Sequence, residues 1–261
     1  MRWLLSFALT FSLFQSFGQP PRYTVGNAHS HNDYEQDVPL MRAYRAGFGS
    51  IEADIFLHNG QLLVAHEKND LDAHRTLQRL YLDSLNTFAV KNNGYPYADR
   101  SKKLLLLIDI KTEAVPKLAK LTEVLQQYPA LIESRNMLFV ISGNRPPEIA
   151  FMHYPAFLSF DGVVSASYGK DALQRIALMS DNLANYTQWD GSGKVKAADW
   201  KKLKAVVAKM HALGKPVRFW NAPDTENAWR QLVKLGVDYI NTDHIDELAT
   251  FFLHSLSLPP G

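Results

Sequence analysis

The chain has 261 residues, a formal net charge of +2 and no cysteine. The missing cysteine excludes disulfides, thiolate metal sites, a cysteine nucleophile and a lipoprotein anchor. The near-neutral charge, with no basic block, argues against a nucleic-acid partner. At 46% hydrophobic and 21% charged, the chain has the composition of a globular protein long enough for one large α/β domain.

Residues 1–18 read as a secretory signal: Arg2, the apolar run Trp3 to Phe14, then Ser16 and Gly18 ahead of a cleavage point at Gln19. The run is shorter than the ~20 residues that span a bilayer, so the expectation is an exported chain, periplasmic or secreted. Residues 19–261 then form one domain with no stable membrane span. Tyr23 to His29 predicts a first strand running into Ser30-His31-Asn32-Asp33, and Val38 to Phe48 a helix ended by Gly47 and Gly49. Ser50 to Leu57 predicts a strand apolar at Ile51, Ile55 and Leu57, with Glu52 and Asp54 on one face. His58-Asn59-Gly60 is a turn signal, and Gln61 to His66 the return strand of a hairpin.

Residues 69–93 are polar and mostly helical. Lys103 to Lys111 is a near-continuous apolar run holding Asp109, the pattern of a strand buried on both faces in a parallel sheet. The spacing predicts a helix over 115–128, a strand over 137–142, a loop and helix from Arg145, and strands over 161–167 and 179–185. A helix over 197–213, a strand over 216–220, a helix over 225–235, a strand over 237–243 and a helix over 245–256 complete the chain. About eight β-then-α units without a linker predict a single (β/α)8 TIM barrel. An open doubly wound sheet would usually carry a glycine-rich phosphate loop after its first strand, and none is present.

Two carboxylates on one face of a buried strand repel, and each is costly to desolvate. A divalent cation compensates them naturally; a solvated strand end or a Lys/Arg partner is the plainer alternative. Polar pairs two apart recur at the predicted strand ends: His29/His31, Glu52/Asp54, Asp109/Lys111, Arg218/Trp220 and Asn241/Asp243, with His66 ending the hairpin. In a barrel these ends converge on one mouth. The residue types suit phosphodiester cleavage. Glu52, Asp54 and Asp109 are hard oxygen ligands for one Mg2+ or Ca2+, Lys111 is a point charge for phosphate, and two imidazoles divide the proton work. Other roles stay open: an Asp109–Lys111 salt bridge, Asn241 or Asp243 capping the last helix, Trp220 as core. His58, His74, His153, His211 and His254 read as surface residues.

The ordered set Asn27-Ala-His29, Ile51-Glu-Ala-Asp54, Gly60 to His66, Leu107-Ile-Asp-Ile-Lys111 and Asn241-Thr-Asp243 resembles the glycerophosphodiester phosphodiesterase family, within the phosphatidylinositol-phospholipase-C-like barrel superfamily. The opening His29-Ser-His-Asn-Asp-Tyr34 is most similar to a bacterial and fungal branch. The resemblance implies His29 and His66 as the acid/base pair, Glu52, Asp54 and Asp109 as ligands of one divalent cation, Lys111 on the phosphate and Trp220 in the cleft. His31 would hold phosphate or metal, or orient His29. The chain departs from the family's usual His-Arg-Gly opening, so the arginine that would touch phosphate is missing. The Glu-Asn-Thr element is absent too, with Glu35 and Asn32 as loose replacements, and Asp109 stands where many members have Glu.

The expected function is metal-dependent hydrolysis of a small glycerophosphodiester or related phospholipid head-group diester by a monomer. Two alternatives stand beside it. One is a polynuclear amidohydrolase- or PHP-like metal hydrolase with zinc on His29 and His31, against which the middle strands offer Ser142, Ser165 and Asn182 but no histidine. The other is a non-catalytic barrel that binds sugars or lipid head groups.

Overall fold

The structure is a computed structural model that describes residues 23–255; the leader expected at 1–18 lies outside them. Its strands are β1 (Ala28–Ser30), β2 (Ser50–His58), β3 (Gln61–Val64), β4 (Leu104–Ile110), β5 (Met137–Gly143), β6 (Leu158–Val163), β7 (Ile176–Asn182), β8 (Val217–Trp220) and β9 (Ile240–Thr242). Eight of them run parallel in the order β8-β7-β6-β5-β4-β2-β1-β9, and a parallel bridge between Arg218 and Tyr239 nearly closes the ring. β3 stays off this path and folds back on β2 as a hairpin, Ile55 opposite Val64. Its turn places Asn59 at φ 46° and Gly60 at φ 76°, the left-handed pair that Asn-Gly supplies for a two-residue hairpin loop.

The helices are α1 (Met41–Ala46), α2 (Asp83–Lys91), α3 (Ala114–Leu125), α4 (Pro129–Ile132), α5 (Lys170–Arg175), α6 (Ala197–Ala212), α7 (Glu226–Leu235) and α8 (Ile245–Ser255). With them the chain is the (β/α)8 barrel that its alternation predicts. None of the helices among the described residues is long and apolar enough to cross a membrane.

The period-2 rule explains where the polar residues go. Along β4, Leu104, Leu106, Ile108 and Ile110 join the large core between sheet and helices. Leu105 and Leu107 instead pack with Val140 of β5 and Leu178 of β7 in a small cluster inside the barrel. The next residue of that inner row is Asp109. The same row reaches Ser142 on β5 and Ser180 on β7, so the barrel interior is apolar at its floor and polar at the carboxyl ends of its strands.

Four strands differ from expectation. β1 is short because Val25–Asn27 forms a 3-10 turn capped by the Thr24 side chain. β6 and β7 begin three residues earlier than the pattern suggests; Phe160 is drawn into the core by stacking on Phe151 at a centroid distance of 3.8 Å, while Ser165 falls in the turn beyond. The shift brings Asp161, not Ser165, to the mouth. β9 starts late because Asp238 serves another purpose: its Oδ2 accepts the Val217 amide at 2.8 Å and pairs with His211 Nε2 at 2.7 Å. His211, expected at the surface, is thus a part-buried staple between α6 and the start of β8.

Gly143 closes β5 at φ +67°, and a Cβ there would lie 2.6 Å from Asp109 Oδ1 and 2.7 Å from the Ile110 carbonyl. Gly143→Ala is therefore expected to cost about 1–3 kcal/mol of stability and to displace Asp109. Urea denaturation checks the first effect and divalent-ion titration the second; unchanged values in both would remove Gly143 from the support of the site.

Candidate active site

A cavity of about 460 Å3 opens at the carboxyl ends of the strands. Of the eight residues singled out in the sequence, it is lined by His31, Glu52, His66, Asp109, Lys111 and Trp220. Asp54 lies behind this wall, fully buried, and so does His29. The far wall is formed by Ser142, Arg145, Asp161, Ser180, Asp181 and Arg218.

Glu52, Asp54 and Asp109 each turn a carboxylate oxygen toward a common point, and these atoms lie within 4.8 Å of one another. Asp54 and Asp109 are paired in register on adjacent strands, which is why an acid on each converges. Lys111 Nζ lies 2.7 Å from Asp54 Oδ2 and 3.3 Å from Asp109 Oδ1, so its salt bridge reaches both acids. That single cation does not quiet the cluster. Burial, then the Glu52 charge, push the Asp54 carboxyl up to about 7, and its buried Oδ1 has no hydrogen-bond partner. An orphaned buried carboxylate oxygen among hard oxygen donors fits a divalent cation. Among the described residues this is the one group of three or more ligating side chains close enough to share an ion, and it contains no histidine. That composition does not suit the zinc-type alternative.

The two β1-end histidines part company. His29, within the strand, points into the barrel and is 0% exposed. Its Nδ1 lies 2.7 Å from Ser50 Oγ, and its Nε2 2.8 Å from Glu52 Oε2 and 2.7 Å from Arg218 Nη1. In either tautomer both ring nitrogens face protein partners, and neither is offered to the cavity. Burial, then the Arg218 charge, push its pKa down to about 4. Glu52 is held well below the usual carboxylate range: burial opposes its charge, but the His29 bond and Arg218 prevail.

His31 does not continue the strand. β1 stops at Ser30, Asn32 takes a left-handed conformation at φ 46°, and the ring swings to the rim. There Nδ1 meets Asp243 Oδ1 at 2.9 Å, leaving Nε2 for the cavity. Burial works to lower the His31 pKa, but the Asp243 bond together with the Glu52 and Asp243 charges outweighs it, and the net shift is upward. Asp243 thus serves His31.

His66 sits across the mouth with its side chain 48% exposed. Tyr34, at the start of the first βα loop, links it to the acids: Tyr34 Oη donates to Asp54 Oδ2 at 2.6 Å and lies 3.0 Å from His66 Nδ1. An ionised carboxylate only accepts. With the phenol proton committed to Asp54, the phenol oxygen accepts from His66 Nδ1–H, and Nε2 is left with its lone pair. Glu35, one loose replacement for the family's Glu-Asn-Thr, is exposed, while Asn32 Oδ1 lies 2.8 Å from the Tyr34 hydroxyl.

Arg218, buried on β8, spans the barrel: Nε donates to Ser180 Oγ at 3.1 Å, Nη1 to Glu52 Oε2 at 3.1 Å, and Nη2 lies 3.8 Å from Asp161. The sequence carried a signal for it, since Arg218 and Trp220 share a strand face. Tyr34 showed only as the end of the opening motif, and Arg145 and Asp161 carried no signal, for their importance comes from neighbours far along the chain. Trp220 stands 42% exposed at the mouth, on the cleft side of its two readings.

Residues 23–145 match the AIM6-like phosphodiesterase domain, and residues 216–246 match the glycerophosphoryl diester phosphodiesterase family. A crystal structure of a glycerophosphodiester phosphodiesterase from Parabacteroides distasonis superposes with a TM-score of 0.55 at 15% identity, over 89% of this chain and 99% of that one. Fold and matched segments agree on the class: the chain is a (β/α)8 barrel similar, over these segments, to phosphodiesterase domains of the glycerophosphodiester phosphodiesterase type. More particularly, it is similar to altered inheritance of mitochondria protein 6 from Eremothecium gossypii, 29% identical over 85% of this chain and 68% of the relative. The Arthroderma benhamiae homologue of that protein is likewise 29% identical, over 86% of this chain and 83% of its own length.

Proposed function

We propose that the chain is a phosphodiesterase that uses one divalent cation, Mg2+ or Ca2+, to hydrolyse a glycerophosphodiester or a related phospholipid head-group diester, with His31 and His66 as its proton pair. The observation that carries this reading is the convergence of three carboxylates and two available imidazole nitrogens on one cavity. Glu52, Asp54 and Asp109 hold the cation, which when bound screens phosphoryl negative charge. Lys111 fixes two of these acids and adds its own positive charge at the phosphate.

His66, with Nδ1–H on Tyr34, presents a basic Nε2 to the attacking hydroxyl. His31, whose hold on a proton Asp243 strengthens, gives its Nε2 proton to the departing alkoxide. His29 replaces neither. It is a positioning residue that ties Glu52 and Arg218 to β1, a different role from the one the family resemblance implies. Trp220 covers the alcohol arm. Export through the residue 1–18 leader, action as a monomer and a small-molecule substrate complete the reading.

A panel of glycerophosphocholine, glycerophosphoinositol, lysophospholipids and a nitrophenyl diester, run with EDTA and metal add-back, tests it. Turnover that EDTA abolishes and Mg2+ or Ca2+ restores is expected. No turnover of any diester, with tight binding of a sugar or head group, would establish the non-catalytic alternative.

Asp243→Asn gives a pH prediction. The raised His31 pKa means that this pair's stabilisation is full below the unfolded value near 6.5 and fades as pH climbs through the folded one. Removing the Asp243 charge is expected to move the His31 titration, followed by NMR, to lower pH. The alkaline limb of the rate profile should move with it. A titration curve that stays put would detach Asp243 from the proton transfer.

A further inference from the structure

We propose that Arg145, delivered by the segment following β5, holds a nonbridging oxygen of the substrate's phosphoryl group; the proposal rests on the phosphodiesterase reading above.

Besides the imidazoles, three cationic side chains line the cavity: Lys111, Arg145 and Arg218. Two are already engaged. Lys111 Nζ bridges Asp54 and Asp109 at 2.7 and 3.3 Å. Arg218 is 4% exposed, and its nitrogens are occupied by Ser180, Glu52 and Asp161. Turning Arg218 toward a ligand would leave Glu52 and Asp161 buried without their counter-charge, which costs more than one new bond returns. Arg145 differs. It is part-buried in the cavity wall, and among the described residues no carboxylate forms an ion pair with it within 4.0 Å. Asp161 feels its charge from beyond that distance.

Its backbone is fixed rather than loose. The Asn144 amide donates to the Ile110 carbonyl and the Arg145 amide to the Gly143 carbonyl, each at 2.9 Å. Pro146 and Pro147 restrict the chain just beyond. The arginine is thus rooted two residues from Gly143, whose missing Cβ lets the chain press against Asp109 Oδ1. A phosphoryl group drawn to the acid cluster therefore enters a cavity that Arg145 also lines. Beyond the divalent ion and Lys111, an anion entering a mouth that holds Glu52, Asp109, Asp161 and Asp181 gains from a cation that no carboxylate has paired, and a planar fork of N–H donors suits two phosphate oxygens at once.

The test is calorimetric titration of inorganic phosphate into the full chain with Mg2+ present, for wild type, Arg145→Ala, Arg145→Gln and Arg145→Lys. The alanine and glutamine variants are expected to bind phosphate about 10- to 100-fold more weakly, the range for a hydrogen bond to a charged group. Lysine should recover part of the loss, with thermal midpoint and Mg2+ affinity unchanged in all. The kcat/KM for the best diester of the panel should fall in parallel for Arg145→Ala and rise again with added guanidinium. Phosphate affinity in both charge-removing variants within about threefold of wild type, well below that range, would overturn the assignment. Because phosphate binding is read without turnover, a wild-type chain that binds phosphate through Arg145 but cleaves no diester would refute the hydrolase reading while supporting the anion site.

Discussion

His31→Ala is expected to lower turnover of the best diester by roughly 10²-fold or more, the usual size of an acid/base contribution, in a protein that folds normally. His66→Ala should show a loss of the same order. His31 is part-exposed at the rim and its ring meets Asp243 at 2.9 Å, so truncation leaves no buried group without a partner. His29→Gln should behave differently. The native ring is completely buried and joins Ser50, Glu52 and Arg218, and an imperfect replacement leaves a charged pair partly unsatisfied. That loss is expected to appear as about 1–3 kcal/mol of stability and weaker cation binding, with the pH-rate profile of the remaining activity unmoved. Paired denaturation and kinetic measurements decide the matter. If His29→Gln were fully stable but inactive while His31→Ala retained its rate, the proton-transfer role would return to His29.

Removing Asp54 should have the other large effect. Its carboxylate joins Tyr34, Lys111 and the acid cluster, and its second oxygen has no partner without a cation. Asp54→Asn keeps the shape and deletes the charge. Saturating Mg2+ or Ca2+ at a hundred times its dissociation constant stabilises the wild-type fold by about 2.7 kcal/mol through mass action; the variant is expected to show almost none of this gain and to lose turnover with it. In EDTA the order changes. The ionised Asp54 is strained by burial and by Glu52, so the variant should be at least as stable as wild type. Thermal melts with and without the ion measure both halves. An Asp54→Asn protein that gained as much from the cation as wild type would show that the ion sits elsewhere.

Much of this architecture is written in local pattern. Alternating apolar runs of strand and helix length predict eight units, and period-2 spacing alone sets Glu52 and Asp54 on one face. The apolar stretch around Asp109 makes its carboxylate conspicuous because so polar a group seldom stands in a doubly buried strand. The Asn59-Gly60 turn likewise declares its hairpin, since few other residues accept two successive left-handed conformations. These features depend on residues a few positions apart, and a linear reading recovers them.

The three-dimensional fold decided which histidine meets the cavity, for that depends on β1 ending at Ser30 and on a partner, Asp243, 212 positions away. It also decided that Arg218 locks Glu52 from the far side of the ring, that Asp161 reaches the mouth through a strand start shifted by core packing, and that Arg145 arrives there from the end of β5. Local periodicity sets the face on which a side chain stands; ring closure and packing set which side chains it meets, and these depend on residues too distant in the chain for any local pattern to record.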